Sequence, residues 1–536
     1  MENIRNACYL KWNIQEKGEI EFMEQLLFTD VRLFDGSGKA SFAADVAVKD
    51  DRIAEVAPAG TLKKTGSSVV DGKGLALTPG FVDVHSHSDA RMIQFPGGDS
   101  KISQGITTDI SGNCGFSHYL ADVDDNDLEE HTARCRGNFS AYAEVVEQAQ
   151  GAMNSVHLCG HNSLREYVMG FDERKPTREE MRQMKELLAD ALANGAAGFS
   201  SGLVYLPGRY ADTEELKELA SLLKGTGKPY ATHIRSEGKT LLESLEESIE
   251  IARAGDGNLV VSHFKTSGEA NWHKLDAAFE LIEKARESGM DILADRYPYI
   301  YSCTTLSIIL PEPYNKLDNP TLCGRLKNES AFRKELAEAL KIRCTRDWSR
   351  ILIVDSMSEK HAPWFGMSMT QIAGKMNCHP AEAAVAILAE GVAPGAAFGT
   401  MCEENLERIL SKPYVMPGSD ANIRAYTDGG THPRAFGTMP WFYRIAAKHD
   451  TPESVIRRMS ALPCAKFNLA NRGIIAPGYF ADLVLLDLDN FSSPADYGYP
   501  NQKARGVERV YVNGQLAYAA DEEMKIFRPG RMLRIK

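Results

Sequence analysis

Short segments that alternate hydrophobic and polar residues lie near both ends of the chain, and tight turns separate them. The N-terminal segments are Leu27–Leu33, Ala44–Val48 and Arg52–Val56. The C-terminal segments are Gly473–Ile475, Ala481–Leu486 and Val507–Gly514. A period of two is typical of strands with one buried face, and either group alone is too small to bury a core. We therefore predict that both chain ends build one small β-sandwich domain around a larger inserted domain.

The middle of the chain alternates apolar runs with segments of helical periodicity. The apolar runs predict eight strands, which are Gly80–His87, Ile106–Ser111, Val156–Gly160, Ala197–Ser201, Pro229–His233, Leu259–His263, Asp291–Arg296 and Tyr414–Ser419. The clearest helical segments are Thr177–Asn194, Thr213–Lys224, Lys239–Arg253 and Lys274–Ser288. Strands that alternate with helices are typical of a parallel sheet with helical crossovers. Eight such units predict an α/β fold with a closed, TIM-like (β/α)8 barrel.

The predicted domain organisation follows from these two patterns. Residues 1–22 fit neither pattern and are interpreted as an N-terminal extension. Residues 23–79 together with 470–536 form the composite β-sandwich domain, and residues 80–469 form the barrel domain. An insertion at about residues 300–412 separates the seventh and eighth strands. It contains a predicted strand, Ile351–Asp355, and predicted helices at Met369–Met376 and Pro380–Ala389.

Composition and charge narrow the class of protein. The chain of 536 residues is 43% hydrophobic, which is ample for a large folded core. Its net charge of −12 disfavours a general nucleic-acid-binding protein, because such proteins usually carry a basic surface. Its ten cysteines include no Cys-x-x-Cys pair and are typical of free thiols in a reducing compartment. Neither a transmembrane run nor the apolar core of a secretory signal is evident, so we expect a cytoplasmic enzyme that binds no membrane.

The candidate chemistry begins at the end of the first predicted barrel strand. His85 and His87 are two residues apart there, so both side chains point to the same face of the strand. Imidazole is the commonest protein ligand of transition metals, yet a single His-x-His pair also occurs by chance on a surface. The pair therefore indicates a metal site only if further ligands end other strands.

Other predicted strands end in residue types that also bind metals. These residues are Cys114, His233, His263 and Asp420, after the second, fifth, sixth and eighth strands. Taken singly, the cysteine could be a small buried apolar residue, each histidine a core residue, and Asp420 a helix N-cap. The catalytic groups of such a barrel lie at the C-terminal ends of its strands. The joint occurrence at several strand ends therefore favours a metal centre.

These residues and several further motifs resemble the amidohydrolase superfamily, and within it the N-acyl-D-amino-acid deacylases (D-aminoacylases). The resemblance extends from about Leu26 to the C-terminus and rests on Pro79–His87, Gly112–Gly115, Thr232-His233, Ser262–Lys265, Asp295–Tyr299, Ser419-Asp420, His432–Arg434 and Gly478–Asp482. Most relatives with two metals bridge them with a carboxylated lysine, whereas this subgroup resembles a variant with a cysteine thiolate. The fourth strand ends in Ser200-Ser201-Gly202 without a lysine, which agrees with that variant.

The resemblance implies a zinc enzyme that acts on linear amides. One tight zinc site would comprise Cys114, His233 and His263, and a second, weaker site would comprise His85, His87 and Asp420. Zinc with an open coordination position lowers the pKa of a water molecule and polarises a carbonyl, which suits attack on an amide. Asp420 would be the general base and then the acid that protonates the leaving amine. The products would be a carboxylate and a free D-amino acid.

The substrate implied by the resemblance is a small molecule with a free carboxylate. The family assigns the binding of this carboxylate to residues that match Lys265, Tyr297 and Arg434. Lys265 follows His263 by two residues and so points to the same face, and Arg434 offers a bidentate fork for a carboxylate. For relatives specific for D-glutamate, the resemblance implies an extra arginine in the stretch after Tyr299; residues 300–306 contain none, which favours a neutral or apolar amino-acid side chain.

Two other interpretations stay open at this point. A cyclic-amide hydrolase such as a dihydropyrimidinase or dihydroorotase is one, although Cys114 in place of a lysine counts against it. The other is a non-catalytic relative, which would usually lose metal ligands, and all six are present here. The acyl group, the number of metals in use and the oligomeric state do not follow from the sequence. The preference for D over L substrates rests on the resemblance alone.

Overall fold

The computed structural model describes residues 25–63, 67–121, 135–317, 319–344, 346–356, 358–390, 394–521 and 523–536. The predicted extension at residues 1–22 lies outside this part of the chain. The strands, numbered in chain order, are β1 (Gln25–Leu33), β2 (Phe42–Lys49), β3 (Arg52–Pro58), β4 (Ser67–Asp71), β5 (Ala76–Pro79), β6 (Phe81–Asp83), β7 (Ile106–Ser111), β8 (Asn154–His157), β9 (Cys159–Gly160), β10 (Phe199–Gly202), β11 (Tyr230–His233), β12 (Asn258–Val261), β13 (Asp291–Arg296), β14 (Ser302–Thr305), β15 (Ile351–Asp355), β16 (Gly395–Phe398), β17 (Val415–Pro417), β18 (Leu483–Leu486), β19 (Val507–Val512) and β20 (Gln515–Ala519).

The α-helices are Arg91–Gln94, Asp99–Ile102, Phe139–Gln148, His161–Met169, Arg178–Ala193, Thr213–Ala220, Leu241–Ala254, Leu275–Glu287, Asn319–Asn328, Ser330–Arg343, Met369–Met376, Pro380–Leu388, Glu403–Leu410, Arg434–Ala446, Pro452–Met459 and Ala461–Lys466. Thr177 and Glu180 form a reciprocal capping box at the start of one of them, as their spacing predicts. In the same helix Met184 and Leu188, one turn apart, are fully buried and form its inner face. None of the helices in the described ranges is long and apolar enough to span a membrane.

The strand pairing confirms the predicted barrel. β6, β7 and β8 form one parallel ladder, and β9, β10, β11, β12, β13 and β17 form another. β8 and β9 are two parts of one strand that Leu158 interrupts. Between β17 and β6, the backbone N–H of Val84 donates to the carbonyl of Pro417 at 3.4 Å and closes the ring. β7 is buried along its whole length, which explains why the barrel strands appear in the sequence as continuous apolar runs.

The small β domain is built from both ends of the chain, as predicted. Its sheet has the strand order β20-β19-β18-β5-β1-β2-β3, and β4 pairs with β1. β5 and β18 are antiparallel neighbours, so the two chain ends share one sheet. One predicted strand is wrong, because Gly473–Ile475 forms a bend in which Gly473 has a φ of +78°, a left-handed value incompatible with an extended strand. The domain boundaries at residues 79 and 470 stay a prediction.

The segment between β13 and β17 has a hydrophobic core of its own. β14, β16 and β15 form an antiparallel sheet in that order, and β15 is the strand predicted at Ile351–Asp355. The sequence pattern does not reveal β14 and β16, since Ser-Cys-Thr-Thr and Gly-Ala-Ala-Phe are neither alternating nor strongly apolar. Buried side chains of the core include Leu336, Ile353 and Phe398. This segment therefore packs as an additional layer, called the inserted layer below.

Candidate metal centre and active site

The six predicted metal ligands lie together where the barrel strands end. Their donor atoms form two groups that share the Cys114 thiol. One group comprises His85, His87, Cys114 and Asp420, and the other comprises Cys114, His233 and His263. Within each group all the donor atoms lie within 4.8 Å of one another. The parallel strands bring these residues together because their carboxyl ends meet at one mouth of the barrel.

The separations around Cys114 fit a tetrahedral zinc ion. Cys114 Sγ lies 3.7 Å from His233 Nδ1 and 3.5 Å from His263 Nε2. Zinc–sulfur and zinc–nitrogen bonds of about 2.3 and 2.0–2.1 Å at a tetrahedral angle would separate two such ligand atoms by about 3.6 Å. Cys114 Sγ also lies 3.3 Å from His85 Nε2, so the thiol faces both groups. The donor set therefore fits zinc in its spacing as well as in its chemistry.

The surroundings of Cys114 favour its thiolate form, which is the form that binds metals. Burial alone would raise the pKa of this thiol. The charges of His85 and His263, together with hydrogen bonds to His233 and His263, outweigh burial and hold the pKa well below its usual value. By contrast, burial raises the pKa of the Cys159 thiol to about 12. The charged surroundings of Cys114 thus lower the pKa of its thiol, whereas burial raises that of the Cys159 thiol.

Three of the predicted ligands lie where the backbone turns sharply after a strand. Cys114, His263 and Asp420 have φ angles of +53°, +36° and +52°. The left-handed region costs a residue other than glycine about 1–2 kcal/mol. Such residues cluster at functional sites, where the surrounding structure holds them in place. Gly112 and Gly115 also have positive φ angles, so the chain after β7 can wind tightly around the thiol.

Asp420 connects the second ligand group to a cation. Its Oδ1 atom lies 3.1 Å from His87 Nε2 and 3.6 Å from His85 Nε2. Its Oδ2 atom accepts a hydrogen bond from Arg434 Nη1 at 2.6 Å. Burial raises the pKa of this carboxyl, but the Arg434 guanidinium and the contact with His87 outweigh burial and hold the pKa well below its usual range. These contacts therefore favour the ionised form of the Asp420 carboxyl, the form that binds metals.

Asp295, to which sequence analysis assigns no role, orients two of the histidines. Its Oδ2 atom accepts a hydrogen bond from His85 Nδ1 at 3.2 Å, which leaves His85 Nε2 facing the centre. Its Oδ1 atom accepts the backbone N–H of His263 at 2.9 Å. A carboxylate behind a metal-binding histidine fixes the tautomer and the orientation of its ring. The sequence carries a signal for this role, because Asp295 lies near the end of β13.

Glu237 is a second residue that sequence analysis misses. Its Oε1 atom lies 2.9 Å from His263 Nδ1 and forms a salt bridge with the Lys265 ammonium. Burial would raise the pKa of Glu237, but Lys265, His233 and His263 hold it well below its usual range. The structure thus brings the predicted carboxylate-binding lysine to the centre, where it is already paired with an acid. No periodic pattern marks Glu237, which follows β11 in a loop.

Tyr297 and Arg434 lie side by side near the centre. The Arg434 guanidinium carbon is 4.8 Å from the centroid of the Tyr297 ring. The Tyr297 side chain is fully buried, and among the described residues its hydroxyl has no hydrogen-bond partner. Because buried polar groups are almost always hydrogen-bonded, this hydroxyl is a candidate to bind a ligand. Arg434 begins the helix Arg434–Ala446, and His432 Nδ1 accepts its backbone N–H at 3.0 Å.

A buried lysine links two of the ligand-bearing segments. Lys101 Nζ donates to Asp83 Oδ2 at 2.5 Å and to Ser419 Oγ at 2.7 Å. Asp83 precedes His85 by two residues, and Ser419 directly precedes Asp420. The lysine therefore ties the strand end that carries one histidine to the turn that carries the carboxylate. Its role depends on contacts between distant parts of the chain, which no local pattern encodes.

A cavity of about 240 Å³ opens onto these groups. Its wall includes His233, His263, Lys265, Tyr297 and Asp420. This volume is slightly below the range of about 300–1,000 Å³ that is typical of pockets for drug-sized ligands. Residues with predicted roles in metal binding, proton transfer and carboxylate binding thus share one cavity suited to a small molecule.

The chain is similar to known proteins along most of its length. The profile of the amidohydrolase family matches residues 68–323. The N-acyl-D-glutamate deacylase of Alcaligenes xylosoxydans xylosoxydans is 32% identical, over 94% of this chain and 95% of its own. The crystal structure of the N-acyl-D-glutamate deacylase from Bordetella bronchiseptica contains zinc and a phosphonate inhibitor that mimics the tetrahedral intermediate. It has a TM-score of 0.78 and 30% identity, and the match covers 96% of this chain and 100% of that one.

Similarity is high to a second deacylase structure and low to the cyclic-amide hydrolases. A D-aminoacylase structure, described in terms of its binuclear metal centre, has a TM-score of 0.76 and 31% identity, with coverage of 95% of this chain and 99% of its own. The L-hydantoinase (dihydropyrimidinase) of Arthrobacter aurescens has only 16% identity and a TM-score of 0.55. The cyclic-amide hydrolases therefore share the fold with this chain at a much greater distance than the deacylases do.

Proposed function

We propose that this chain hydrolyses the amide bond of N-acyl-D-amino acids, because it belongs to the amidohydrolase family and, within it, to the N-acyl-D-amino-acid deacylases. The products are a carboxylate and a free D-amino acid. The observation that carries the proposal is the Cys114 thiol, which contacts His233 and His263 in one group and His85 in the other. The similarity to deacylases over nearly the whole chain supports a linear amide as the substrate.

Two zinc sites of unequal strength fit the donor groups. In this proposal the tighter site comprises Cys114, His233 and His263, and the weaker site comprises His85, His87 and Asp420. The first set is buried throughout, whereas His87 and Asp420 in the second are partly exposed. When bound, zinc acts as a Lewis acid that polarises the amide carbonyl and lowers the pKa of a water molecule. The zinc complex of one relative and the binuclear centre of another support this assignment.

Asp420 moves the proton. Its Oδ1 atom, which faces the histidines, takes the proton of the attacking water and later delivers it to the nitrogen of the leaving amine. Its Oδ2 atom stays hydrogen-bonded to Arg434, which keeps the carboxylate in one orientation. A general acid–base group held in position in this way contributes about 10²–10⁴-fold to the rate.

Arg434, Tyr297 and Lys265 bind the α-carboxylate of the substrate. The guanidinium supplies a bidentate fork, and the unpartnered Tyr297 hydroxyl supplies a further donor. Lys265 is held by Glu237, so its ammonium is shared between that carboxylate and the substrate. Because Arg434 also contacts Asp420, the α-carboxylate is held beside the general base.

The test uses purified protein loaded with zinc and both enantiomers of N-acetylated leucine, methionine, glutamine and glutamate. Hydantoin and dihydrouracil are assayed in parallel, and the products are followed by mass spectrometry. We expect hydrolysis of D substrates only, and its loss in Cys114→Ala. Hydrolysis of the cyclic amides without that of any N-acyl-D-amino acid would contradict the proposal. Equal hydrolysis of both enantiomers would contradict its stereochemical part.

A further inference from the structure

The segment between β13 and β17 supplies part of the active-site wall. The cavity of about 240 Å³ that is lined by Tyr297 and Asp420 is also lined by Arg346 and Phe398. Arg346 follows the helix Ser330–Arg343, and Phe398 ends β16, so both belong to this inserted layer. A cationic side chain from outside the barrel therefore faces the same cavity as the proposed general base.

Arg346 has no acidic partner among the residues that the structure describes, whereas the nearby Arg434 and Arg235 each have one. Arg434 pairs with Asp420 at 2.6 Å, and Arg235, which also lines the cavity, pairs with Glu247 at 2.9 Å. Within the ranges that the structure describes, no hydrogen bond or ion pair reaches the Arg346 guanidinium. It contacts the Phe398 ring, whose centroid lies 5.1 Å from the guanidinium carbon. The planar fork is thus available for bidentate binding of a carboxylate.

A second cavity, of about 450 Å³, continues from Arg346 along the inserted layer. The residues that line both cavities are Gly238, Ser267, Arg346, Phe398 and Thr400. None of the six proposed metal ligands lines the second cavity, whose wall includes both basic residues (Lys239 and Arg350) and acidic residues (Glu269 and Asp347). Arg346 therefore stands at the junction between the reaction site and a polar space. That space has room for a part of the substrate that takes no part in the chemistry.

We propose that Arg346 binds a second carboxylate of the substrate, in addition to the α-carboxylate, and so selects dicarboxylic substrates. The inference rests on the deacylase function proposed above. It differs from the sequence-based expectation of a neutral or apolar side chain on the amino acid, which rests only on the absence of an arginine at residues 300–306. The second carboxylate has two chemical sources, an acidic side chain on the D-amino acid and a dicarboxylic acyl group. Both present the same group to the guanidinium.

Two pairs of substrates that differ by one charge separate these sources. N-acetyl-D-glutamate against N-acetyl-D-glutamine tests the side chain, and N-succinyl-D-leucine against N-succinamoyl-D-leucine tests the acyl group. The kcat/KM of the zinc-loaded full chain is measured for the wild type, Arg346→Gln and Arg343→Gln. Arg343 is the matched control, because it lies in the same inserted layer, donates to the carbonyl of Glu312 and is not among the residues that line either cavity.

We expect the wild type to prefer the charged member of one pair by about 10- to 100-fold, the factor that a charge-assisted hydrogen bond supplies. Arg346→Gln removes this preference by lowering kcat/KM for the charged member. Its kcat/KM for the uncharged member stays within about twofold of the wild-type value. Arg346→Lys recovers part of the preference, since an ammonium keeps the charge but not the fork. Arg343→Gln behaves as the wild type.

Three outcomes overturn the inference and leave the deacylase function intact. One is equal kcat/KM for the two members of both pairs in the wild type. Another is a preference that persists in Arg346→Gln. The third is an equal loss on charged and uncharged substrates in that variant, which would indicate a structural role and would appear as a lowered melting temperature. Hydrolysis of none of the four substrates would overturn the deacylase function and the inference together.

Discussion

Arg434 Nη1 donates a hydrogen bond of 2.6 Å to Asp420 Oδ2. The contact joins the residue proposed to bind the α-carboxylate to the residue proposed to move the proton. Both side chains are largely buried, so salt in the solvent screens their attraction only weakly. With these proposed roles, the substrate carboxylate and the carboxylate of the general base share one cation, which would couple substrate binding to the position of the base.

Arg434→Lys tests this coupling. We expect kcat/KM for N-acetyl-D-amino acids to fall about 10- to 100-fold, because an ammonium cannot form the two parallel hydrogen bonds of a guanidinium. Steady-state kinetics measure the loss, and N-acetyl-D-leucinamide, which has no α-carboxylate, is the matched substrate. The variant should lose less on the amide than on the acid, because on the amide only the positioning of Asp420 is affected. An equal loss on acid and amide would show that Arg434 does not bind the carboxylate.

Asp420→Asn removes the proposed proton acceptor. We expect kcat to fall by about 10²–10⁴-fold, the contribution of a positioned general base. Zinc at the tighter site should stay, since Asp420 belongs to the other donor group. Metal analysis and kinetics are compared with Asp428→Asn, a nearby acid that pairs with Arg91 at 3.1 Å outside the centre. Normal kcat in Asp420→Asn would rule out its role as the base.

Cys114→Ala removes the ligand that both donor groups share. We expect zinc affinity at the tighter site to fall by more than about 100-fold, and activity to fall with it. Removing a residue that only hydrogen-bonds to a metal ligand costs up to about 100-fold, so removing a ligand itself should cost more. Metal analysis after dialysis against a chelator measures the loss. Cys402→Ala, at a partly exposed cysteine that belongs to neither donor group, is the control and should keep its zinc. Full zinc content in Cys114→Ala would exclude the thiolate as a ligand.

Asp295→Asn alters the carboxylate behind His85. An amide nitrogen in place of Oδ2 cannot accept the hydrogen bond from His85 Nδ1, so the ring loses its fixed tautomer. We expect zinc affinity at the weaker site to fall about 10- to 100-fold. Titration with a competing zinc chelator measures this affinity. Asp291→Asn, at the opposite end of β13, is the matched control, and equal affinities in the two variants would contradict the positioning role.

Lys101→Met tests the buried lysine. The change leaves Asp83 and Asp109 buried without their shared cation, which contacts them at 2.5 and 3.3 Å. We expect the free energy of unfolding to fall by about 3–5 kcal/mol, the usual effect of breaking a buried ion pair on one side. Urea unfolding measures the loss. Lys175→Met breaks the exposed pair with Asp212 and should have a far smaller effect; comparable losses would argue against a special role for burial.

The barrel and most of its site were predictable from local sequence features. Fully buried strands leave long apolar runs, and predicted ligands such as His85, Cys114 and His263 stand at the ends of those runs or within three residues of them. Parallel strands in a closed barrel place all these positions at one mouth. The errors lie where that logic does not apply. Gly473–Ile475 is apolar but bends at a glycine, and the sequences of β14 and β16 are neither alternating nor strongly apolar.

Other residues of the site have no such local signal. Glu237 lies in a loop, and its position beside Lys265 and His263 follows from how that loop folds over the strand ends. Lys101 and Ser419 are separated by 318 positions in the chain yet share a hydrogen bond. Arg346 reaches the cavity only because the inserted layer packs against the mouth of the barrel.

The sequence by itself determined the order of the strands, the joining of both chain ends in one small domain, and the types of predicted metal ligand at the strand ends. These features depend on periodicity and on the chemistry of single residues, which are local properties. Only the tertiary structure decided which charges are neighbours: Asp420 lies beside Arg434 and Lys265 beside Glu237, while Arg346 meets no acid in the described part of the chain. Such contacts join residues that are distant in the chain, and their energies depend on burial and packing, which no local pattern records.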